Sequence, residues 1–258
     1  MAKVYIIGAG PGDPDLLTVK ARRLIESCDV IIYAGSLVNP EILKLARPGS
    51  EIHNSAELNI NQIMDIIKDA YERGLDVARI HSGDPHIYGA LKDQTSYLEA
   101  LGIPYEVVPG VSVLTSAAAS LGIELTMDGI SQAVIIARGS LRIPVPDREQ
   151  IRKLAEHGST MVIFTGIHII DSIVKDLIDG GYSPDTPVGV VYRSTWPDEI
   201  VIKGRLSNIA TLVHERRIYR TALIIVGDVV DPKFVKHSKL YDPEYVHSFR
   251  GVKNGHDR

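Results

Sequence analysis

Three short glycine-bearing turns carry the residue types that could meet a ligand. Gly8-Ala9-Gly10-Pro11-Gly12-Asp13 follows the apolar run Val4–Ile7. Ser82-Gly83-Asp84-Pro85 follows Val77–Ile80, and Pro109-Gly110-Val111-Ser112 follows Tyr105–Val108. Open α/β sheets bind ligands beyond the carboxyl ends of their strands, so three such turns point to one shared crevice. The first turn invites a dinucleotide reading, and its chemistry argues against one. The fingerprint needs a third small residue where Asp13 stands. A carboxylate at a helix N-terminus occupies the electropositive end and would repel a pyrophosphate. Pro11 withholds a backbone N–H. The second strand ends in Tyr33-Ala34-Gly35, with no acid to hold a ribose. A plain strand-to-helix turn, or a loop facing a ligand that is not a phosphate, both stay open. His81, His86 and His168 match no zinc spacing, so turn or cap roles are expected of them and no metal site.

The elements that must position these turns follow from apolar periodicity. Val4–Ile7, Asp29–Tyr33, Val77–Ile80 and Tyr105–Val108 read as buried strands, with a brief one near Ile52. Helices are expected after Asp13-Pro14, from Pro40, through Ile63–Ala70, from about Ile87 to Leu101, and from Ser112 to Leu121. This alternation describes a mostly parallel sheet covered on both faces. Gly122–Ile130 reads as a passage to a second domain. There, strands Ala133–Ala137, Met161–Phe164, Val188–Tyr192, Ile200–Ile202 and Ala222–Val226 are expected. The helices between them are Asp147–Glu156, Ile169–Ile178 and Ile209–Arg216. The fold class is α/β, with a first domain over 1–121, a second over 131–231 and a polar tail over 232–258.

Composition narrows the function classes. The 258 residues carry a formal charge of −4, are 45% hydrophobic and 23% charged, and include one cysteine. Those values exclude a disulfide framework, a coiled coil and a disordered chain. The mild acidity argues against a nucleic-acid binder, and no apolar run approaches a membrane span. The opening residues read as a strand rather than a secretion signal. A cytoplasmic location is expected, with Cys28 as inert packing.

With these motifs together, the sequence resembles the tetrapyrrole methylase family, whose members move methyl groups from S-adenosylmethionine to corrin and sirohaem precursors. The likeness runs from Val4 to about Asp228. It rests on Gly8-Ala9-Gly10-Pro11-Gly12-Asp13-Pro14, Ser82-Gly83-Asp84-Pro85 and Val108-Pro109-Gly110. Tyr33-Ala34-Gly35-Ser36-Leu37-Val38-Asn39-Pro40, Arg142-Ile143-Pro144-Val145-Pro146 and Ser238-Lys239-Leu240-Tyr241-Asp242-Pro243-Glu244 narrow it to one corrin branch.

The resemblance implies two consecutive α/β domains with S-adenosylmethionine in the cleft between them, a tetrapyrrole substrate and a homodimer. Composition and hydropathy, rather than the resemblance, set the expectation of no nucleic-acid or membrane partner. Motif matching carries cofactor contacts to Pro11, Gly83, Asp84, Ile87, Ser112 and Val113, and in the second domain to Thr165 and Ala222. Relatives often have methionine where Thr165 stands. A sulfonium cation without phosphates also explains why an acidic first turn is tolerated. No catalytic triad is expected or found. Asp84 either hydrogen-bonds the cofactor or takes a ring proton, as the catalytic candidate, or it caps its own turn. The substrate class carries many carboxylates, so Arg138, Arg142 and Arg193 at strand ends become the substrate-binding candidates, because guanidinium forks suit carboxylates.

Overall fold

A computed structural model of the chain describes residues 2–139 and 144–234. The first sheet contains β1 (Val4–Gly8), β2 (Val30–Tyr33), β3 (Glu51–Asn54), β4 (Val77–His81) and β5 (Tyr105–Val108). Their order is β3-β2-β4-β1-β5, and every pairing is parallel. Three α-helices connect them, α1 (Val19–Ser27), α2 (Ile60–Glu72) and α3 (Leu91–Ala100), with a 3-10 helix between β2 and β3, and α4 (Val113–Leu121) follows β5.

Burial on both faces explains why these strands read as unbroken apolar runs. One face puts Val4, Ile6, Ile32 and Val77 against Ile63 and Ile67 of α2. The other puts Ile7, Ile31 and Ile80 against Ala21 and Ile25 of α1. Each such side chain contributes roughly 1.5–3 kcal/mol on burial. Helix α2 starts at a capping box: Asn59 Oδ1 accepts from the Gln62 N–H, and Gln62 Oε1 accepts from the Asn59 N–H.

The second sheet contains β6 (Val134–Arg138), β7 (Thr160–Phe164), β8 (Pro187–Tyr192), β9 (Ile200–Arg205) and β10 (Ala222–Val226), in the order β6-β7-β10-β8-β9. β6 and β7 are parallel, whereas β10 runs antiparallel to β7. Helices α5 (Ile151–Ala155), α6 (Ile170–Asp179) and α7 (Ile209–Glu215) accompany this half.

The helix expected from Pro40 is a 3-10 helix, Pro40–Leu45, capped by Asn39, and three further helices differ from the sequence expectation for local reasons. The helix expected at Pro14 is a single 3-10 turn, Pro14–Leu16, capped by Asp13. The helix then restarts at Val19, because Thr18 Oγ1 accepts from the Ala21 N–H at 3.1 Å. The helix expected from about Ile87 begins only at Leu91, since Tyr88 and Ala90 sit at φ 53° and 48°, outside helical space. Asp147–Glu156 divides into a 3-10 turn and α5, broken where Gln150 adopts an extended backbone.

The chain forms two compact units. One combines Met1–Gly122 with Val190–Ile202 and Val213–Leu223, and the remainder forms the other. Of the expected tail over 232–258, residues 235–258 lie outside the described residues, as do Arg142 and the Ser238–Glu244 motif. No helix among the described residues is long and apolar enough to cross a membrane.

Candidate functional site

The three glycine turns of the first unit interlock backbone against backbone. Gly10 and Gly83 form an antiparallel bridge, with Gly83 N–H donating to the Gly10 carbonyl at 2.8 Å and Gly10 N–H to the Gly83 carbonyl at 3.2 Å. A Cβ on Gly8 would stand 2.6 Å from the Gly110 nitrogen and 2.7 Å from the Gly83 carbonyl oxygen. Only glycine permits that approach. Beside Gly83 lies the start of α4: a Cβ there would reach to 3.6 Å from the Val113 nitrogen and 3.9 Å from the Ser112 Cα. Those are ordinary contacts, and it is the φ of 62° at Gly83 that favours glycine there. Ser112 caps the helix, its Oγ accepting from the Leu114 N–H at 3.2 Å.

Asp84 ties two of the turns together. Its Oδ2 accepts from the Gly110 N–H at 2.9 Å. Its Oδ1 accepts from the His86 N–H at 2.8 Å and lies 2.7 Å from His86 Nδ1. Burial alone would raise its pKa, but the backbone donors of His86 and Gly110 outweigh it and hold the carboxyl below its usual range. The cap of its own turn is therefore realised, with a clamp on the third turn added. An ionised, fully engaged carboxylate is a weak proton acceptor at neutral pH. Ile87 is half-buried in the same turn, its N–H directed to the Asp84 carbonyl at 3.3 Å.

Under these turns lies a buried polar row. Arg79 donates from Nε to Gln94 Oε1 at 2.9 Å and from Nη1 to Ser55 Oγ at 3.1 Å and to the Ile32 carbonyl at 3.3 Å. Burial lowers its pKa to about 10. His81, the last residue of β4, is pushed down to about 3 by burial and then by the Arg79 charge. It is neutral in the fold, and its Nε2 has no hydrogen-bond partner.

The first turn is held from a distant part of the sequence. Trp196 Nε1 donates to the Pro11 carbonyl at 2.9 Å, and Thr195 Oγ1 accepts from the Asp13 N–H at 3.0 Å. Asn39 Nδ2 donates to the Gly12 carbonyl at 2.9 Å. The carbonyls of Pro11 and Gly12 and the N–H of Asp13 are thus engaged within the protein. Arg193 stacks its guanidinium on Tyr192 and Trp196, 5.3 and 4.8 Å from the ring centres, and pairs with Asp198 at 2.6 Å.

In the other unit, Arg138 ends β6 and faces Phe164 across the parallel register, one residue before Thr165. Gly139 N–H donates to the Phe164 carbonyl at 2.9 Å. Thr165 itself holds φ 51°. Ala222 opens β10 and belongs to the first unit. The structure therefore gathers Gly83, Asp84, Ile87, Ser112 and Val113 into one neighbourhood, with Pro11 joined through the Gly10–Gly83 bridge. Arg138 and Thr165 lie in the other unit.

The chain as a whole matches known proteins. The family described as tetrapyrrole (corrin/porphyrin) methylases matches residues 3–210. The chain belongs to that family. A cobalt-precorrin-4 C(11)-methyltransferase of Methanocaldococcus jannaschii is 51% identical over 248 residues, 96% of each chain. A precorrin-4 C(11)-methyltransferase of Pseudomonas aeruginosa is 46% identical over 247 residues, 96% of this chain and 98% of that one. Among solved structures, a cobalt precorrin-4 methyltransferase superposes with a TM-score of 0.87 at 39% identity, covering 89% of this chain and 96% of the other. A uroporphyrin-III C-methyltransferase of Thermus thermophilus, complexed with S-adenosylhomocysteine, gives 0.75 at 32% identity over 92% and 97%.

For a tetrapyrrole methylase the sequence reading overlooked several positioning residues. Thr195 and Glu199 were not singled out, Asn39 entered only as part of a longer motif, and Arg79 gave only one signal: a lone charge inside an apolar strand.

Proposed function

We propose that this chain transfers a methyl group from S-adenosylmethionine to C11 of precorrin-4 or cobalt-precorrin-4, a step in making cobalamin. The observation that carries this reading is end-to-end identity of 51% and 46% to two relatives with that named activity. The turns of the first unit support it: they present glycine surfaces, and the ionised Asp84 nearby places negative charge beside a cationic cofactor. Pro11, Gly83, Asp84, Ile87, Ser112, Val113, Thr165 and Ala222 are the proposed cofactor contacts. The domain division 1–121, 131–231 and 232–258, a homodimeric state and a cytoplasmic location belong to the same proposal.

S-adenosylmethionine, held by the residues proposed above, would supply an electrophilic methyl on sulfur with a neutral thioether as leaving group. Such a step needs no acid for the leaving group and no protein nucleophile. What the protein provides is alignment, and good alignment is worth roughly 7–11 kcal/mol. Gly8, Gly83 and Gly110 give a backbone surface that side chains cannot narrow. Asp84 keeps two of the turns in register. Arg138 and Arg193 are the proposed partners for substrate carboxylates. Arg193→Gln is expected to raise the substrate KM more than the cofactor KM; the opposite order assigns it to the turn around Trp196 alone.

The deciding experiment is anaerobic incubation with S-adenosylmethionine and either precorrin-4 or cobalt-precorrin-4, with the new methyl located by NMR. A methyl on C11 is expected. A methyl on another carbon points to a different methylase of this family, and none at all sinks the reading.

A further inference from the structure

Residues 193–199 form a tight turn that is strained where it could have been relaxed. Arg193 and Thr195 hold φ 45° and 67°, a left-handed backbone that side-chain-bearing residues avoid, β-branched threonine above all. Such strain persists only where surroundings over-determine it. Here they do. The Thr195 N–H donates to Glu199 Oε2 at 2.6 Å, and Ser120 Oγ of α4 donates to the same oxygen at 2.8 Å. Ser194 is buried and donates to Ser116 Oγ of α4 at 2.9 Å. The Arg193 N–H donates to the Thr221 carbonyl at 2.9 Å. The turn is therefore anchored on the helix that opens at Ser112 and Val113, and from there it reaches the first glycine turn.

What it delivers to that turn is one indole. Trp196 Nε1 takes the Pro11 carbonyl, and the ring lies so close over Gly12 that a Cβ would collide with its Cδ1 and Nε1. Gly12 holds no left-handed φ. The ring, not the backbone, makes glycine necessary there.

We propose that the 193–199 turn is a strap that shapes the first glycine turn for the cofactor, with Trp196 as its positioning residue. This rests on the reading of Pro11 as a cofactor contact. The indole fixes the direction of the Pro11 carbonyl and closes the side of the turn at Gly12. Binding of the cofactor then meets a turn already in shape, and the ordering is done by the strap.

The test uses the full chain and labelled S-adenosylmethionine in equilibrium dialysis, with steady-state kinetics beside it. Trp196→Phe keeps a ring and removes one N–H. It is expected to raise the cofactor Kd about two- to tenfold, the worth of one such hydrogen bond, and by a larger factor than it raises the substrate KM. Gly12→Ala alone is expected to weaken cofactor binding at least tenfold, and to have no further effect in a Trp196→Ala background. Trp196 is the sole tryptophan, so S-adenosylhomocysteine should also change the intrinsic emission saturably. Additive effects of Gly12→Ala and Trp196→Ala, or wild-type affinity in Trp196→Phe, overturn the strap while leaving the methylase reading intact. If Gly12→Ala does not fold, the Trp196→Phe affinity decides alone. A wild-type chain that binds no S-adenosylmethionine overturns the cofactor reading and the strap's role with it.

Discussion

The strand-end turns of the first sheet and those of the second solve one problem in opposite ways. In the first sheet the chain turns on glycine: Gly10 and Gly83 sit at φ 72° and 62° without penalty, and Gly8 and Gly110 let backbones touch. In the second sheet Gly139, Gly166 and Gly227 also stand at strand ends, but left-handed turn positions fall besides on side-chain-bearing residues, Thr165, Arg193, Thr195 and Thr221, at φ 51°, 45°, 67° and 54°. Tyr88 and Ala90 are exceptions on the first side, flanking Gly89. The contrast follows from what each turn must do. Where backbone itself forms the surface, side chains are in the way. Where a side chain must be delivered, as with the Thr195 hydroxyl and the Arg193 guanidinium, strain is accepted and neighbouring hydrogen bonds offset it.

Substitutions on the two sides should therefore have opposite signs. Gly110→Ala drives a Cβ into the Gly83 carbonyl, with the Gly8 carbonyl carbon 2.8 Å away. A loss of about 3 kcal/mol in unfolding free energy is expected, together with loss of cofactor binding. Denaturant titration and dialysis would show it; a tolerated alanine would break the contrast. Asp84→Asn can offer its one oxygen to the Gly110 N–H or to the His86 N–H but not to both. A destabilisation of about 1.5–3 kcal/mol and weaker cofactor binding are expected. Affinity and turnover near wild type would remove Asp84 from both the clamp and the site.

His81 makes the first side sensitive to acid. Its folded pKa of about 3 lies below the unfolded value, so the unfolded chain binds the extra proton first. The stability it contributes is complete above about pH 6.5 and falls by about 1.4 kcal/mol per unit as the pH drops from there toward 3. His81→Gln should flatten that slope between pH 6.5 and 5 in thermal melts, since about one and a half units of this window remain titratable in the wild type. On the strained side, Thr221→Gly relieves a left-handed β-branched residue while keeping its carbonyl for Arg193. Its effect is the smallest: a gain of about 1 kcal/mol or less, seen as a rise of a few degrees in Tm. A loss there would mean that Thr221 makes a side-chain contact worth more than its strain.

The two sides also differ in how much the sequence revealed. The buried strands were visible because parallel strands covered on both faces must be continuously apolar, as Val30–Tyr33 and Val77–Ile80 are. Gly8, Gly10, Gly83 and Gly110 stood out because glycine marks where backbone geometry is unusual. Threonine and arginine carry no such mark, so the turns at Thr165, Arg193 and Thr195 could not be read as strained. The late start of α3 was hidden for the same reason, since nothing in Tyr88 or Ala90 announces a left-handed residue. The Thr195–Asp13 and Trp196–Pro11 hydrogen bonds join residues 182 and 185 positions apart, beyond the reach of any local pattern. Arg79 was legible only as a polar interruption of β4, and His81, expected in a turn or cap, is instead the buried last residue of that strand. Their shared partner, Gln94, comes from a helix whose register the sequence left open.

Because Val190–Ile202 and Val213–Leu223 pack with Met1–Gly122, the first unit is a discontinuous module. On the ribosome, its five parallel strands emerge long before the segment that completes its first glycine turn. Closing that turn is a contact of high sequence separation, which belongs late in folding. A nascent chain of the first 122 residues would carry all three glycine turns without Trp196 or Thr195 to brace them. The glycines give this region its freedom early, and the last quarter of the chain takes it away.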